Sequence, residues 1–341
     1  MARTISFVCV FVVGFATATS ICQGQVAGAP PFDWSMPTNA DVPALQEFLK
    51  RAKGTKPASL EEHKAIQTAI RDAAQRLREM LADRKSEAAY RDAEFDEIAA
   101  SVSLMANFGE DAKETTRKRV EEFLRSREEL SIQDIQTGML AAVMLELQPN
   151  KAPARDMYNL LDELLAKDQR KEMQRLRANL QSAVRRLDLL GKKLDLQSIA
   201  IDGHKISIDD YAGKYLLVVF FATWSEPCLA EIPHLKAIYG KYRDRGLSVL
   251  GVSIDSDESK LKEYLAGAEL PWPVVHDNAK EGRNRMQAKF GITVLPVILL
   301  LNKEGTVVSL EAIGGELDRL VSLLFESPTP AAPLSTTSEQ G

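Results

Sequence analysis

From Ser59 to Gly191, apolar residues return every three or four positions. Ile66, Ile70, Ala73, Leu77 and Met80 form one such set. Phe95, Ile98, Val102 and Met105 form the next, ending at Gly109. Val120, Phe123 and Leu124 follow, then Ile132, Ile135, Met139, Val143 and Leu147, then Leu160, Leu161, Leu164 and Leu165. The last set is Met173, Leu176, Leu180, Val184 and Leu187, stopped by Gly191. This spacing puts one apolar stripe on each helix. Start and stop signals agree with it: Ser59 with Glu62 and Ser131 with Asp134 have the capping-box pattern, and Pro149 and Pro153 break the chain. The pattern predicts about six or seven amphipathic helices over 59–190 and no strand, packed as antiparallel hairpins in a bundle or short solenoid. No fixed repeat period emerges. Upstream, residues 25–58 are rich in proline and read as a linker with one short helix around Ala44–Arg51.

The texture changes near Gly191. Leu194 to Ile201 alternates like a strand entering the turn Asp202-Gly203. A turn-rich segment, Ile206 to Gly213, precedes Lys214. Tyr215–Phe221 and Leu247–Ile254 are continuous apolar runs of buried-strand length. Between and after them come helical patterns from Ser225, over Lys260–Ala268 and over Gly282–Phe290, with a short extended piece at Trp272–Val275. Val297–Leu301 and Thr306–Leu310 flank Asn302-Lys303-Glu304-Gly305 as a hairpin, and Glu316–Phe325 closes as a helix. Strands alternating with helices predict an α/β sheet with helices on both faces over 191–326, preceded by an all-α domain. The proline-, serine- and threonine-rich residues 327–341 read as a disordered tail.

Composition narrows the functional classes. The chain has 341 residues, 45% apolar, with a formal charge of −5. That affords two ordinary cores and shows no basic footprint, so nucleic acid is not an expected partner. Three cysteines, of which only Cys228 lies in a folded region, exclude a disulfide scaffold, and no Cys or His cluster offers a metal site. No cofactor is expected. The charged helix faces, such as Arg117-Lys118-Arg119 and Arg175 with Arg177, alternate with Glu and Asp and read as solvated surface. At the N-terminus, Arg3 precedes the apolar run Ile5–Phe15 and then Ala16, Ala18 and Ser20. Residues 1–24 read as a signal peptide with an ambiguous cut: after Ala18 or Ser20 it keeps Cys22, after Gly24 it removes it. The apolar run is shorter than the ~20 residues a spanning helix needs, which favours cleavage over a membrane anchor. A lipid anchor on Cys22 is disfavoured by the bulk of Ile21. The expected location is periplasmic or otherwise extracytoplasmic, where disulfides persist. Membrane contact is expected only through the N-terminal segment if it is kept.

The candidate chemistry sits in Phe220-Phe221-Ala222-Thr223-Trp224-Ser225-Glu226-Pro227-Cys228-Leu229-Ala230-Glu231-Ile232-Pro233. A buried strand here feeds a helix N-terminus, whose partial positive charge stabilises a thiolate. Together with Gly213-Lys214 upstream and Gly291-Ile292-Thr293-Val294-Leu295-Pro296 downstream, these residues resemble the thioredoxin-like domain of the TlpA/ResA group of extracytoplasmic thiol–disulfide oxidoreductases. The resemblance covers residues of about 192–326 and leaves the helical half outside.

The resemblance implies roles position by position. Cys228 matches the resolving cysteine of a Cys-x-x-Cys pair and Ser225 the attacking one. Glu231 matches the acid that handles the resolving thiol's proton, and lies three residues from Cys228 on the same helix face. Trp224, Glu226 and Pro227 shape the turn, Pro233 kinks the helix, and Pro296 matches a cis proline that leaves the backbone of Leu295 free to pair with an extended peptide. Val219 stands where thioredoxins proper carry a buried acid. Disulfide exchange needs a thiolate, which a serine hydroxyl cannot supply. Ser225 also fits the plain role of helix cap, and Cys228 that of a small apolar filler. His234 and His276 lie too far along to give Ser225 a hydrolase triad. The peroxidase chemistry hosted by the same fold would need its cysteine near Ser225. Two functions stay open. One is a thiol–disulfide exchange protein with an impaired Ser-x-x-Cys motif, acting on protein thiols or disulfides through Cys228. The other is a non-catalytic module that binds peptide or protein in the groove beside Pro296.

Overall fold

The computed structural model describes residues 34–37, 39–108, 113–277 and 285–326. The expected signal peptide over 1–24, the start of the linker and the tail over 327–341 lie outside the described residues. Among the described residues, no helix is long and apolar enough to cross a membrane. The chain divides into two compact units between Leu180 and Gln181.

The first unit is helical. It runs through α1 (Val42–Gly54), α2 (Leu60–Met80), α3 (Ala88–Phe108), α4 (Lys113–Arg125), α5 (Ile132–Glu146) and α6 (Ala152–Leu164) into the start of α7 (Lys171–Leu187). Both serine signals act as caps. Ser59 Oγ accepts from the Glu62 amide at 3.0 Å. Ser131 and Asp134 cap each other's backbone at 3.1 and 2.9 Å. Leu45, Phe48, Leu49, Ile66, Ile70 and Leu77 form the core between α1 and α2, as their spacing requires. Not every charge is solvated. Glu97, on α3, is 1% exposed and pairs with Arg78 of α2 at 2.9 Å and with Arg119 of α4. Its neighbour Asp96, also buried, accepts from Lys53 of α1 at 2.7 Å. Arg117, itself mostly buried, pairs along its own helix with Glu114 and Glu121. Arg119 corrects the reading of that run as wholly solvated: it turns inward because a buried carboxylate needs a charged partner.

The second unit is a five-stranded sheet in the order β5-β4-β3-β6-β7, with a separate β1-β2 hairpin. The hairpin pairs β1 (Gln197–Ile199) with β2 (Lys205–Ser207) around the predicted turn. At the centre, β3 (Tyr215–Phe221) runs parallel to β4 (Leu247–Ser253) and antiparallel to β6 (Val297–Leu301). β5 (Val274–His276) adds parallel to β4, and β7 (Val307–Ser309) antiparallel to β6. Leu216 through Phe221 are all buried, because both faces of β3 are covered. On one face Leu217, Val219 and Phe221 pack with Ile232 and Leu235 of α8 (Glu226–Tyr242), Leu261 of α9 (Glu258–Ala268) and Leu317 and Val321 of α11 (Gly314–Phe325). On the other, Phe220 meets Phe290 of α10 (Arg285–Phe290) edge to face at 6.0 Å. The predicted helix over Gly282–Phe290 is described from Arg285 onward.

One stretch closes both sheet edges. Leu190 and Lys193 bridge to Val307 and Thr306 outside β7, with the Gly191 amide donating to the Val307 carbonyl at 2.9 Å. Further on, Ala200 bridges to Val275, and the Ile201 amide donates to the Val274 carbonyl at 2.9 Å, outside β5. The last turns of α7 belong to this unit. Arg185 Nε donates to the Ala288 carbonyl at 3.2 Å, and Gly291 passes against the backbone of Ser182 and Arg186. The unit boundary therefore falls inside α7, upstream of the texture change at Gly191.

Candidate functional site

The candidate residues gather where the parallel strands end. Thr223, Asp255 and Asp277 each follow the carboxyl end of β3, β4 or β5, the side of an α/β sheet where sites are built. The chain leaves β3 at Ala222 and turns tightly, with the Ser225 amide donating to the Ala222 carbonyl at 3.2 Å. Ser225 is the residue before α8. Its carbonyl accepts from the amides of Cys228 and Leu229 at 3.0 and 3.1 Å, while its side chain makes no capping bond. The hydroxyl lies three residues before Cys228, whose thiol it pulls downward. Pro227 sits in the first turn, where a missing N–H costs nothing, and Pro233 lies inside α8.

Cys228 is 1% exposed and packs in the core of the unit with Ile232 and Leu235. Among the described residues it is the free cysteine. Burial pushes its thiol up. Hydrogen bonds from Ser225 and from the Ala222 backbone pull the other way, and the charge of Asp255 adds to the upward push. Trp224 stands 69% exposed beside it, and Glu226 is exposed as well. Across the site the Leu295–Pro296 peptide bond is cis, with Leu295 half-buried against the core and Val294 exposed.

The structure brings Ser225 and Cys228 together and turns Glu231 elsewhere. The Glu231 Oε1 accepts from His234 Nδ1 at 2.8 Å and from the Gly314 amide at 3.0 Å. Glu231 thereby ties α8 to the start of α11, and His234 Nε2 extends the tie to Asp318 at 2.9 Å. The acid whose charge reaches Cys228 is Asp255, which the sequence reading did not single out. Its carboxylate, 3% exposed, accepts from the Thr223 amide at 3.1 Å, from Thr223 Oγ1 at 2.7 Å and from Ser253 Oγ at 2.8 Å. Its carbonyl accepts from His276 Nε2 at 2.7 Å, so that nitrogen carries the proton. Asp277, also buried, accepts from the amides of Met286 and Gln287 at 3.0 and 2.8 Å and so holds the start of α10. A Ser-x-Asp at the end of a buried strand was the signal available for Asp255.

Comparison with known proteins bears on this unit alone. Residues 191–310 match the AhpC/TSA family. The thiol-disulfide oxidoreductase ResA of Bacillus thuringiensis subsp. konkukian is 29% identical over 116 residues, 34% of this chain and 64% of that protein. The ResA of Halalkalibacterium halodurans is 29% identical over 132 residues, 39% of this chain and 72% of that one. The chain thus spans just under two thirds of the length of the Bacillus relative. Among solved structures, the thioredoxin domain of a thiol-disulfide oxidoreductase from Bacteroides vulgatus covers 40% of this chain and 96% of its own, at 28% identity and a TM-score of 0.37. The C-terminal unit is a thioredoxin-fold domain of the AhpC/TSA family, similar to the ResA thiol-disulfide oxidoreductases, and it follows a helical region outside the match.

Proposed function

We propose that this is an extracytoplasmic thioredoxin-like protein whose Ser-x-x-Cys site does not run a two-cysteine redox cycle. The observation that carries this reading is the placement of Ser225 at the N-cap of α8, three residues before a Cys228 that is 1% exposed. Exchange requires a thiolate to attack, a second thiol to resolve the mixed disulfide, and access to both. Here the outer position bears a hydroxyl, and the inner thiol is buried and held protonated. The N-terminal pattern around Ile5–Phe15 supports a location outside the cytoplasm. Protein thiols or disulfides are the partners for which such a domain is shaped.

A second reading has its own observation. Trp224, in the turn before α8, and Val294, next to Leu295 and Pro296 in the chain, are large apolar side chains left exposed. An extended peptide segment docking there needs no redox cysteine. On this reading the domain is a binding module.

One pair of measurements separates these outcomes. Wild-type protein should reduce insulin disulfides in the presence of dithiothreitol no faster than the buffer does. Ser225→Cys puts a thiol at the N-cap of α8, three residues before Cys228. It should form a disulfide under mild oxidation and gain reductase activity at least tenfold above wild type, since the helix terminus lowers the pKa of a thiol placed there. Efficient turnover by wild type would sink the proposal. A Ser225→Cys protein that keeps two free thiols under oxidant would show that the site has lost the geometry as well as the chemistry, and would favour the binding module.

A further inference from the structure

Glu231 holds the family position for the site's acid, yet its carboxylate is committed to His234 and to the Gly314 amide. Asp255 is placed differently. It directly follows β4, whose Ser253 lies opposite Phe221 of β3, and the Ile254 amide donates to the Phe221 carbonyl at 2.9 Å. That register lays the carboxylate alongside the turn that leads to Ser225. Thr223 is the contact: its amide bonds both carboxylate oxygens and its hydroxyl bonds one of them. Ser253 Oγ serves the other oxygen while accepting from Asp255's own amide at 3.1 Å. The Thr223 amide can only donate, and both hydroxyls have a donor to give. Such a set gives both buried carboxylate oxygens a donor.

We infer that Asp255, rather than Glu231, is the positioning residue of this site: it braces the β3–α8 turn through Thr223 and supplies the fixed negative charge beside Cys228. This rests on the single-thiol reading above and deepens it. The head of α8 contributes partial positive charge that would activate a thiol. A carboxylate next to the same turn opposes that field and adds to the burial that pushes the remaining thiol up. The groups facing Cys228 are few. Ser225 and the Ala222 backbone pull its thiol down, Asp255 pushes it up, and the Tyr264 hydroxyl of α9 is itself pushed up, by burial first and then by Cys228. Tyr264 is uncharged until strongly alkaline pH, so Asp255 is the charge that acts over the range in which a thiol titrates.

The test is a pH titration of Cys228 in the full chain, carrying Cys9→Ser and Cys22→Ser and followed by the 13Cβ shift of labelled cysteine. Asp255→Asn keeps the acceptor for Thr223 and removes the charge. Its Cys228 midpoint should fall by about one pH unit, which raises the thiolate fraction at pH 8 about tenfold. Glu231→Gln should leave the midpoint where it is. An unmoved midpoint in Asp255→Asn, or an equal shift in Glu231→Gln, overturns the inference. If Asp255→Asn does not fold, Thr223→Val serves. It strips one donor from the carboxylate, leaves its charge less satisfied, and should raise the Cys228 midpoint; an unchanged or lowered midpoint overturns the inference. Insulin turnover by wild type would refute the functional reading while leaving this comparison of midpoints intact.

Discussion

Replacing Gly291 by alanine tests how the end of α7 is built into the C-terminal unit. Gly291 has φ of +68°. A Cβ added there would lie 2.9 Å from the Arg186 nitrogen and the Ser182 carbonyl carbon, and nearer still to the Ser182 oxygen. All of these are backbone atoms, so no side chain can rotate away. The left-handed backbone alone costs an L-residue about 1–2 kcal/mol. Pushing two packed backbone segments apart adds about 1–3 kcal/mol of overpacking. Gly246 supplies the control: its φ is +98°, and nothing lies within 4 Å of where its Cβ would be. Gly246→Ala should therefore cost only the backbone term, about 1–2 kcal/mol, and Gly291→Ala about 2–5 kcal/mol. Urea unfolding followed through Trp272 reads both, because this residue is buried edge to face against Tyr239 at 5.7 Å. Hydrogen exchange should show the amides of the last turn of α7 losing protection in Gly291→Ala and keeping it in Gly246→Ala. Equal costs for the two substitutions would refute the docking of α7 against Gly291.

Two further outcomes follow from charge. His234 lies between the carboxylates of Glu231 and Asp318; burial works against its charged form, but the two hydrogen bonds outweigh it and hold its pKa above 6.5. A raised pKa gives stability that is complete below the unfolded value and lost as pH rises through the folded one. The melting temperature of the C-terminal unit should thus fall on going from pH 6 to pH 8.5, and His234→Gln should flatten that fall; a fall of equal depth in the variant would refute the assignment. In the helical unit, Glu97→Leu removes the buried partner of Arg78 and Arg119 and should cost about 1.5–3 kcal/mol, read by far-UV circular dichroism in urea. A cost under 1 kcal/mol would mean that both arginines reach solvent instead.

Much of the fold was legible because burial imposes a period. The apolar runs at Tyr215–Phe221 and Val297–Leu301 match β3 and β6 end for end, and Ser131 with Asp134 announced α5 through a bond that spans three residues. The site was legible only in part. Cys228 and Ser225 are neighbours along one helix, so spacing places them together. Spacing also put Glu231 on the side of Cys228, but His234 is equally three residues from it, and the Gly314 amide, distant in sequence, decided which way the carboxylate turned. Asp255 meets Thr223 only because β3 and β4 lie in register, and register is not written in either strand alone. Glu97 and Arg119 carry the same letters as surface charges on helices that are mostly surface. Their inward turn depends on which helices pack together.

The stretch that seals both sheet edges has a consequence for the chain during its synthesis. Its partners, Val275 within one outer strand, Val307 within the other and Thr306 just before it, all come later in the sequence. The seal therefore leaves the ribosome before there is anything for it to bind. It can settle only on strands already paired, through contacts of high sequence separation, which form slowly. Until then β5 and β7 present open rows of N–H and C=O groups, the template on which one nascent chain adds to another. The interval between the emergence of β7 and the docking of residues 190–201 is when both outer strands are open to pairing with another chain.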